Sequence, residues 1–145
     1  MNYSCGLVFN QDNSKLAMIK KNRPWWQKGR YNGVGGKVEG TETYIECMIR
    51  ETKEEMGLDT NEEDWVSLGR LIINDSNVMF FAIFGIDFYT LKQITDEEIY
   101  IISVKHIFDI KSDVYNLIMP NIRTAIGLVL DKRDNINQGF SQWII

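Results

Sequence analysis

Three carboxylates stand close together in one short stretch of this chain. Glu51, Glu54 and Glu55 are spaced i, i+3 and i+4, so their side chains would be neighbours on an α-helix. Like charges at this spacing repel each other, and a fold would rarely choose the arrangement for stability alone. Hard cations such as Mg²⁺ bind oxygen ligands, commonly one or two carboxylates together with substrate phosphates. The spacing therefore predicts a divalent metal site on this helix.

A basic segment without acidic residues precedes these carboxylates. Residues 15–38 contain no Asp or Glu, and the acids begin again at Glu39. The lysines and arginines of the segment are Lys15, Lys20, Lys21, Arg23, Lys28, Arg30 and Lys37. A basic segment that runs into an acidic cluster favours a metal-bridged polyphosphate, because phosphate needs cations and the cations need carboxylates. A solvated basic loop is the alternative interpretation.

The helix that must position the carboxylates has clear end signals. Thr43 is a candidate N-cap with Glu46 three residues later, which is the pattern of a capping box, and Gly57 is suited to end the helix. The apolar positions that follow helical spacing are Ile45, Met48, Ile49, Thr52 and Met56. The carboxylates are expected to one side of this apolar stripe, bordering the core without entering it.

The remaining elements predict one mixed α+β domain over residues 1–145. Two hairpins are expected, one from residues 3–9 and 15–20 and one from residues 65–73 and 77–87. Residues 21–36 are expected to form a loop that enters a strand near residue 31. A further strand is predicted over residues 99–104, and residues 114–130 should contain a helix that begins after Pro120. Residues 131–139 are interpreted as a loop, and residues 140–145 as core packing, with a dimer contact as the minority view.

Composition narrows the class of protein. The apolar fraction of 44% and the charged fraction of 25% are ordinary for a globular protein. No apolar run reaches the ~20 residues of a membrane span, and the first residues do not resemble a signal peptide. Cys5 and Cys47 form neither a metal-like spacing nor a disulfide framework, so a cytoplasmic protein is expected. The net charge of −4 makes polymeric nucleic acid an unlikely partner.

The region around the helix resembles the Nudix box. That motif is Gly, five residues, Glu, seven residues, Arg-Glu, an aliphatic position, any residue, Glu-Glu, any residue, Gly and an aliphatic residue. The matching positions are Gly36, Glu42, Arg50, Glu51, Glu54, Glu55, Gly57 and Leu58. The departure is Thr52 at a usually aliphatic position, a nearly isosteric change. The resemblance implies the Nudix fold, a mixed β-sheet between helices, and hydrolysis of a nucleoside diphosphate linked to another group with Mg²⁺ or Mn²⁺.

The resemblance also implies roles for the residues of the box. Glu54 and Glu55 would be metal ligands, and Glu51 would be either a ligand or the general base. The backbone carbonyl at Gly35 could face the metal, and Arg50 would orient the carboxylates through a bidentate pair.

Roles are also expected for other residues in and near the box. Glu42 is expected to be structural, closing the loop onto the helix. Lys37 is placed to touch a phosphate, and Arg23 of the basic segment is a further candidate for substrate binding.

Residues 28–39 resemble the MutT-type branch of nucleoside triphosphate pyrophosphohydrolases. Asn32 and Asn121 fall where such enzymes use an asparagine to read a purine base, and an amide can both donate and accept hydrogen bonds. A turn or capping role is the alternative for each, and the two need not read the same base. Trp25 and Trp26 could stack on a base or could cover the loop.

A further acid is expected in the loop after the second hairpin. Asp96, Glu97 and Glu98 lie there, and the register is open by one or two residues. Glu98 is favoured as the additional catalytic or metal-binding residue, with Glu97 next. A solvated acidic turn is the alternative.

The leading hypothesis is a Mg²⁺-dependent enzyme that cuts a nucleoside triphosphate to the monophosphate and pyrophosphate, with oxidised purine nucleotides as the leading substrates. Alternatives are other Nudix substrates, namely ADP-ribose, a dinucleoside polyphosphate or the 5′ end of RNA. From another class, the domain could bind nucleotides without turnover. A monomer and a homodimer are both compatible with the sequence.

Overall fold

A mixed β-sheet forms the centre of the fold, which a computed structural model describes over residues 1–135. The strands are β1 (Asn2–Asn10), β2 (Lys15–Lys20), β3 (Tyr31–Asn32), β4 (Val34–Lys37), β5 (Val66–Ile73), β6 (Ser76–Ile86) and β7 (Glu98–Ser103). The helices are α1 (Tyr44–Met56), α2 (Val104–Ile107) and α3 (Pro120–Asn135). Short 3₁₀ turns lie at Trp25–Gln27, Glu62–Asp64 and Phe88–Thr90.

β1 organises the sheet because three strands pair with it. β6 runs parallel to β1 along most of its length, and β5 pairs with β6 in the second hairpin. On its other edge β1 pairs antiparallel with β2 near Val8 and Phe9, and with β4 from Tyr3 to Gly6. β7 adds to the free edge of β2. Both predicted hairpins and the late strand are confirmed.

β1 and β2 diverge after their short pairing, and residues 31–37 fill the opening. β3 pairs with the end of β2, and β4 pairs with the start of β1. Gly33 lies at the crossing, where a Cβ atom would come within 2.6 Å of the Gly6 carbonyl oxygen and 2.7 Å of Cys5 Sγ. Only a residue without a side chain fits there, so the crossing depends on glycine.

The helices cover opposite faces of the sheet. Successive residues of a strand point to opposite faces, so β1 sends Leu7 and Phe9 toward α3 and Val8 toward α1. The α3 side of the core also holds Leu16, Met18, Phe80, Ile122 and Ile126. The α1 side holds Ala17, Ile19, Met48, Met56, Trp65 and Phe81. The α+β fold with a mixed sheet between helices is therefore confirmed.

α1 begins and ends where its sequence signals predicted. Thr43 Oγ1 accepts a hydrogen bond from the Glu46 amide at 3.2 Å, and Glu46 Oε2 accepts one from the Thr43 amide at 2.7 Å. Gly57 adopts φ +65° at the other end, a left-handed conformation that favours glycine. Thr52 is buried, and its hydroxyl donates to the Met48 carbonyl at 2.7 Å. The helix therefore satisfies the one polar group that replaces the usual aliphatic residue.

α3 differs from the sequence prediction at its end. The helix begins at Pro120 as expected but continues to Asn135, so residues 131–135 are helical and the predicted loop is wrong there. The apolar pattern stops near residue 130, but a helix can continue with polar residues when no Gly or Pro interrupts it. The prediction for residues 140–145 lies outside the described residues. Of the helices within residues 1–135, none is long and apolar enough to cross a membrane.

We expect Thr43→Ala to lower the free energy of unfolding by about 1 kcal/mol, because the Glu46 amide loses its cap. Urea unfolding followed by circular dichroism measures the change. Thr43→Ser keeps the hydroxyl and should retain most of the stability, and Thr41→Ala is the matched control at an exposed neighbouring position. Equal losses in the Ala and Ser variants of Thr43 would contradict the capping role.

Candidate active site

A cleft of about 700 Å³ opens beside the crossing of residues 31–37. Its walls come from the start of β1, the loop after β2, residues 32–36, the turn between β5 and β6, and the start of α3. Three residues predicted to bind substrate, Trp26, Asn32 and Asn121, line this cleft together with Gly35. Residues that are 89 positions apart in sequence thus meet in one concave site, the usual form of a small-molecule site.

The two asparagines differ in how they are held. Asn32 Oδ1 accepts a hydrogen bond from the Gly33 amide at 2.9 Å. Asn121 Oδ1 is buried and has no hydrogen-bond partner within residues 1–135. A buried polar atom without a partner is costly, so a ligand that drew the Asn121 amide into the cleft would relieve this cost. One cleft includes both asparagines, and whether they read the same base stays a prediction.

Two other residues predicted to bind substrate lie away from the cleft lining. Arg23 is exposed and pairs with Asp96 at 2.6 Å, which lowers the pKa of that carboxyl. Lys37 is exposed at the end of β4, and its carbonyl oxygen accepts a hydrogen bond from Arg50 Nη2 at 3.0 Å. Trp25 is also exposed, whereas its neighbour Trp26 contributes to the wall. Neither basic side chain belongs to the lining of the cleft.

The three carboxylates of α1 have different surroundings. Glu54 is 55% exposed, Glu51 is 13% exposed, and Glu55 is buried. The expectation that the whole ridge borders the core is wrong for Glu55. α1 approaches β4 closely because Gly36 has no side chain, and a Cβ atom there would collide with the Glu51 carboxylate. This close contact places Glu55 inside the protein.

Burial raises the pKa of Glu55 from its ordinary value of 4.5 to about 8. The charge of Lys21 opposes this shift, and the nearby carboxylate of Glu51 adds to it. Glu55 Oε2 is buried and has no hydrogen-bond partner in the described part of the chain. A buried carboxylate oxygen without a donor, beside a second carboxylate, is an environment that a cation would stabilise.

The donor set fits a hard divalent cation in its chemistry. The Glu51 carboxylate lies against Gly36, the Glu55 carboxylate accepts a hydrogen bond from the Gly35 backbone, and oxygen donors of this type suit Mg²⁺ or Mn²⁺. Among residues 1–135, however, no three His, Cys, Asp or Glu side chains are already grouped as ligands. Glu54 is turned to Arg50, so a complete ligand set requires this side chain to reorient.

Arg50 holds the carboxylates of the box in place. Its Nε and Nη2 atoms donate to both oxygens of Glu42 at 3.1 and 2.8 Å. Its Nη1 atom donates to Glu51 at 2.9 Å and to Glu54 at 3.1 Å. The bidentate pair expected from the sequence is therefore made with Glu42, and these contacts lower the pKa of Glu42 to about 2. Glu42 in turn accepts the Glu39 amide at 2.8 Å, as expected of a residue that closes the loop.

The acidic loop before β7 contacts the site through Glu97. Glu97 is buried, and it accepts hydrogen bonds from Lys21 Nζ at 3.0 Å and from the Asn22 amide. Lys21 lines the cleft, and its positive charge favours the ionised form of Glu55. Glu98, the residue favoured from the sequence, is exposed at the start of β7, opposite Lys20.

The sequence reasoning did not single out Lys21, which belonged only to the basic segment. A lysine beside an acid-free stretch gives no signal that it will pair with a carboxylate 76 positions away. The tertiary pairing of β2 with β7 brings these two residues together.

The fold and the box together define the class of protein. A family model described as the NUDIX domain matches residues 3–99, more than half of the chain, and the chain belongs to the Nudix family.

The fold is similar to MutT in a solved structure from work on the fish pathogen Aliivibrio salmonicida and on Vibrio cholerae. The TM-score is 0.66 at 19% identity, covering 90% of this chain and 97% of that one. A MutT/nudix family protein from Enterococcus faecalis matches with a TM-score of 0.57 at 19% identity, covering 70% of this chain and 42% of that one. A search of curated proteins finds no sequence match.

We expect the metal-free protein to lose stability as the pH rises because of Glu55. Its folded pKa of about 8 lies above the unfolded value near 4.5, so the folded state binds the proton more tightly. The stabilising effect is fully present below about pH 4.5 and is lost as the pH rises through about 8. Glu55→Gln should remove this part of the pH dependence, measured by urea unfolding at pH 5 and pH 8 in excess chelator.

Glu54→Gln is the matched control, because Glu54 is exposed and should leave the pH dependence of stability close to that of the wild type. An unchanged pH dependence in Glu55→Gln would contradict the assignment of the raised pKa to Glu55.

Proposed function

We propose that this chain hydrolyses nucleoside triphosphates to the monophosphate and pyrophosphate with Mg²⁺ or Mn²⁺. The observation that supports this most is the continuity between two parts of one site. The cleft lined by Asn32 and Asn121 extends to Gly35 and Gly36, and the carboxylate of Glu51 lies directly against Gly36. A nucleotide placed with its base in the cleft would therefore present its phosphates to the carboxylates.

The base end of the cleft suits a purine. Trp26 is about half exposed on the wall, and an aromatic face contributes roughly 1–3 kcal/mol per stacked base. Asn32 and Asn121 offer amide groups that can hydrogen-bond to the edge of the base. A purine fits this combination, and oxidised purine nucleotides are the substrates that we propose first.

At the phosphate end, Glu51, Glu54, Glu55 and the Gly35 carbonyl would hold the metal, with an acid of the loop before β7. A bound divalent cation would lower the pKa of water and neutralise charge on the phosphates. Arg50 engages Glu51 through Oε1, so Oε2 is left free of Arg50 and could take the proton of the attacking water. Water would add at a phosphorus atom while the anhydride bond to the departing pyrophosphate breaks.

Lys21 would keep the site neutral enough to admit a substrate. Its ammonium contacts Glu97 and lies near Glu55, and both of these carboxylates are buried. The negative charge of Glu97, and that of Glu55 once a cation displaces its proton, would otherwise repel a polyphosphate. The two cysteines, Cys5 and Cys47, are free and buried, in keeping with action in the reducing cytoplasm.

Pyrophosphate release with Mg²⁺ tests the proposal across ordinary and oxidised purine nucleoside triphosphates, ADP-ribose, a dinucleoside polyphosphate and 5′-triphosphorylated RNA. We expect triphosphates to be hydrolysed and Glu51→Gln and Glu54→Gln to lower kcat roughly 100-fold or more, because each removes a carboxylate of the site. Glu63→Gln is the matched control, an exposed glutamate outside the site.

Turnover of only ADP-ribose, the dinucleotide or RNA would reassign the substrate class. Tight nucleotide binding without turnover, with either metal, would support a binding domain instead.

A comparison of two adjacent glutamates tests which of them is the additional acid of the site. We expect Glu97→Gln to lower kcat at least tenfold, because Glu97 is buried and joined to Lys21 beside the site. Glu98→Gln is the matched control and should stay within about twofold of the wild type, because Glu98 is exposed. Steady-state kinetics at saturating Mg²⁺ gives both values, and the reverse ranking would restore Glu98 as the additional acid.

A further inference from the structure

We propose that Gln27 determines base specificity by fixing the hydrogen-bond polarity of one wall of the cleft. The inference rests on the proposed function and adds a residue that the Nudix box does not include. Gln27 lies in the 3₁₀ turn of Trp25–Gln27 and lines the cleft beside Asn32. Its role follows from the direction of two consecutive hydrogen bonds.

The first bond fixes the amide of Asn32. The Gly33 backbone N–H donates to Asn32 at 2.9 Å, and a backbone N–H can only donate. The atom that accepts must therefore be Asn32 Oδ1. The Cys5 thiol, at 3.8 Å from the same oxygen, is a second and weaker donor. Because both neighbours are donors, the opposite orientation of the Asn32 amide is excluded.

The second bond transfers this orientation to Gln27. With Oδ1 directed to Gly33, Asn32 Nδ2 faces Gln27 at 3.3 Å, and the atom that accepts must be Gln27 Oε1. Gln27 is itself held by its backbone, whose N–H donates to the Pro24 carbonyl at 2.9 Å and whose carbonyl accepts the Arg30 N–H at 2.8 Å. The side-chain amide of Gln27 thus has a single favoured orientation.

The remaining group is Gln27 Nε2, which has no acceptor within residues 1–135. It is a donor at the wall of the cleft, next to the second N–H of Asn32 Nδ2. Asn121 differs, because its amide makes no hydrogen bond in the described part of the chain and can present either end. The cleft therefore has one wall of fixed donors and one adaptable amide.

A wall of fixed donors favours a base that presents an oxygen acceptor. On the edge that carries position 6 and N7, the 6-oxopurines present two acceptors, the carbonyl oxygen and N7, whereas the 6-aminopurines present an amino donor next to N7. An amino group facing Gln27 Nε2 would bring two donors together and leave both unpaired, and sites that hydrogen-bond a substrate discriminate strongly against such mismatches. We therefore infer a preference for 6-oxopurine over 6-aminopurine nucleotides.

Inosine and adenosine triphosphates test this inference, because their bases differ only in the group at position 6 and in the proton on N1. We expect the wild type to have a higher kcat/KM for the inosine nucleotide. Gln27→Glu keeps an oxygen to accept from Asn32 but replaces the donor with an acceptor, so the inosine-to-adenosine ratio should fall about tenfold. Repulsion between the new charge and the phosphates affects both substrates and cancels in the ratio. Gln27→Met, which removes both groups, should give an intermediate ratio.

Gln11→Glu is the matched control, since it makes the same change in charge at an exposed turn. A ratio that is unchanged in Gln27→Glu, or that falls equally in Gln11→Glu, would overturn the inference. Calorimetric binding of inosine and adenosine monophosphates gives a readout that needs no turnover. If the wild type hydrolyses no nucleoside triphosphate, ordinary or oxidised, the proposed function fails, and the same shift in the binding ratio still decides the role of Gln27.

Discussion

The close approach of α1 to β4 is the constraint on which the site depends. Gly36 allows it, because a side chain there would collide with the Glu51 carboxylate, and Gly35 in turn allows β4 to lie close to Ser4 of β1. The helix then brings Glu55 into the interior, where burial opposes its charge. Without this contact the three glutamates would form an ordinary solvated ridge. With it, one of them becomes a buried acid without a hydrogen-bond donor on Oε2.

The charged groups around this contact fall into an outer set and an inner set. Arg50 joins Glu42, Glu51 and Glu54, so the outer carboxylates are held by a single guanidinium. The inner side has two buried carboxylates, Glu55 and Glu97, and one ammonium near them. Burial favours the neutral form of Glu55, because an unpaired buried charge would destabilise the native state. Glu55 lies near the end of the cleft, where a bound cation would stabilise its charged form.

Local signals predicted much of the fold, and tertiary contacts decided the rest. Thr43 and Gly57 mark the ends of α1 because capping acts within one helical turn, and the hairpins follow from alternating strands and polar turns. Burial of Glu55 and the pairing of Lys21 with Glu97 were not predictable, because they depend on strands that meet across the sheet. The extension of α3 was missed because solvated helical turns have no apolar period.

The segment of residues 31–37, which crosses from β2 to β1, also sets a distance. Asn32 stands at the base end of the cleft and Gly35 at the carboxylate end, on one extended ribbon held by strands on both sides. Three residues of extended chain span about 10 Å. Under the proposed function, this segment would set a fixed distance between the base and the reacting phosphate. Lengthening it by one residue would then change that distance.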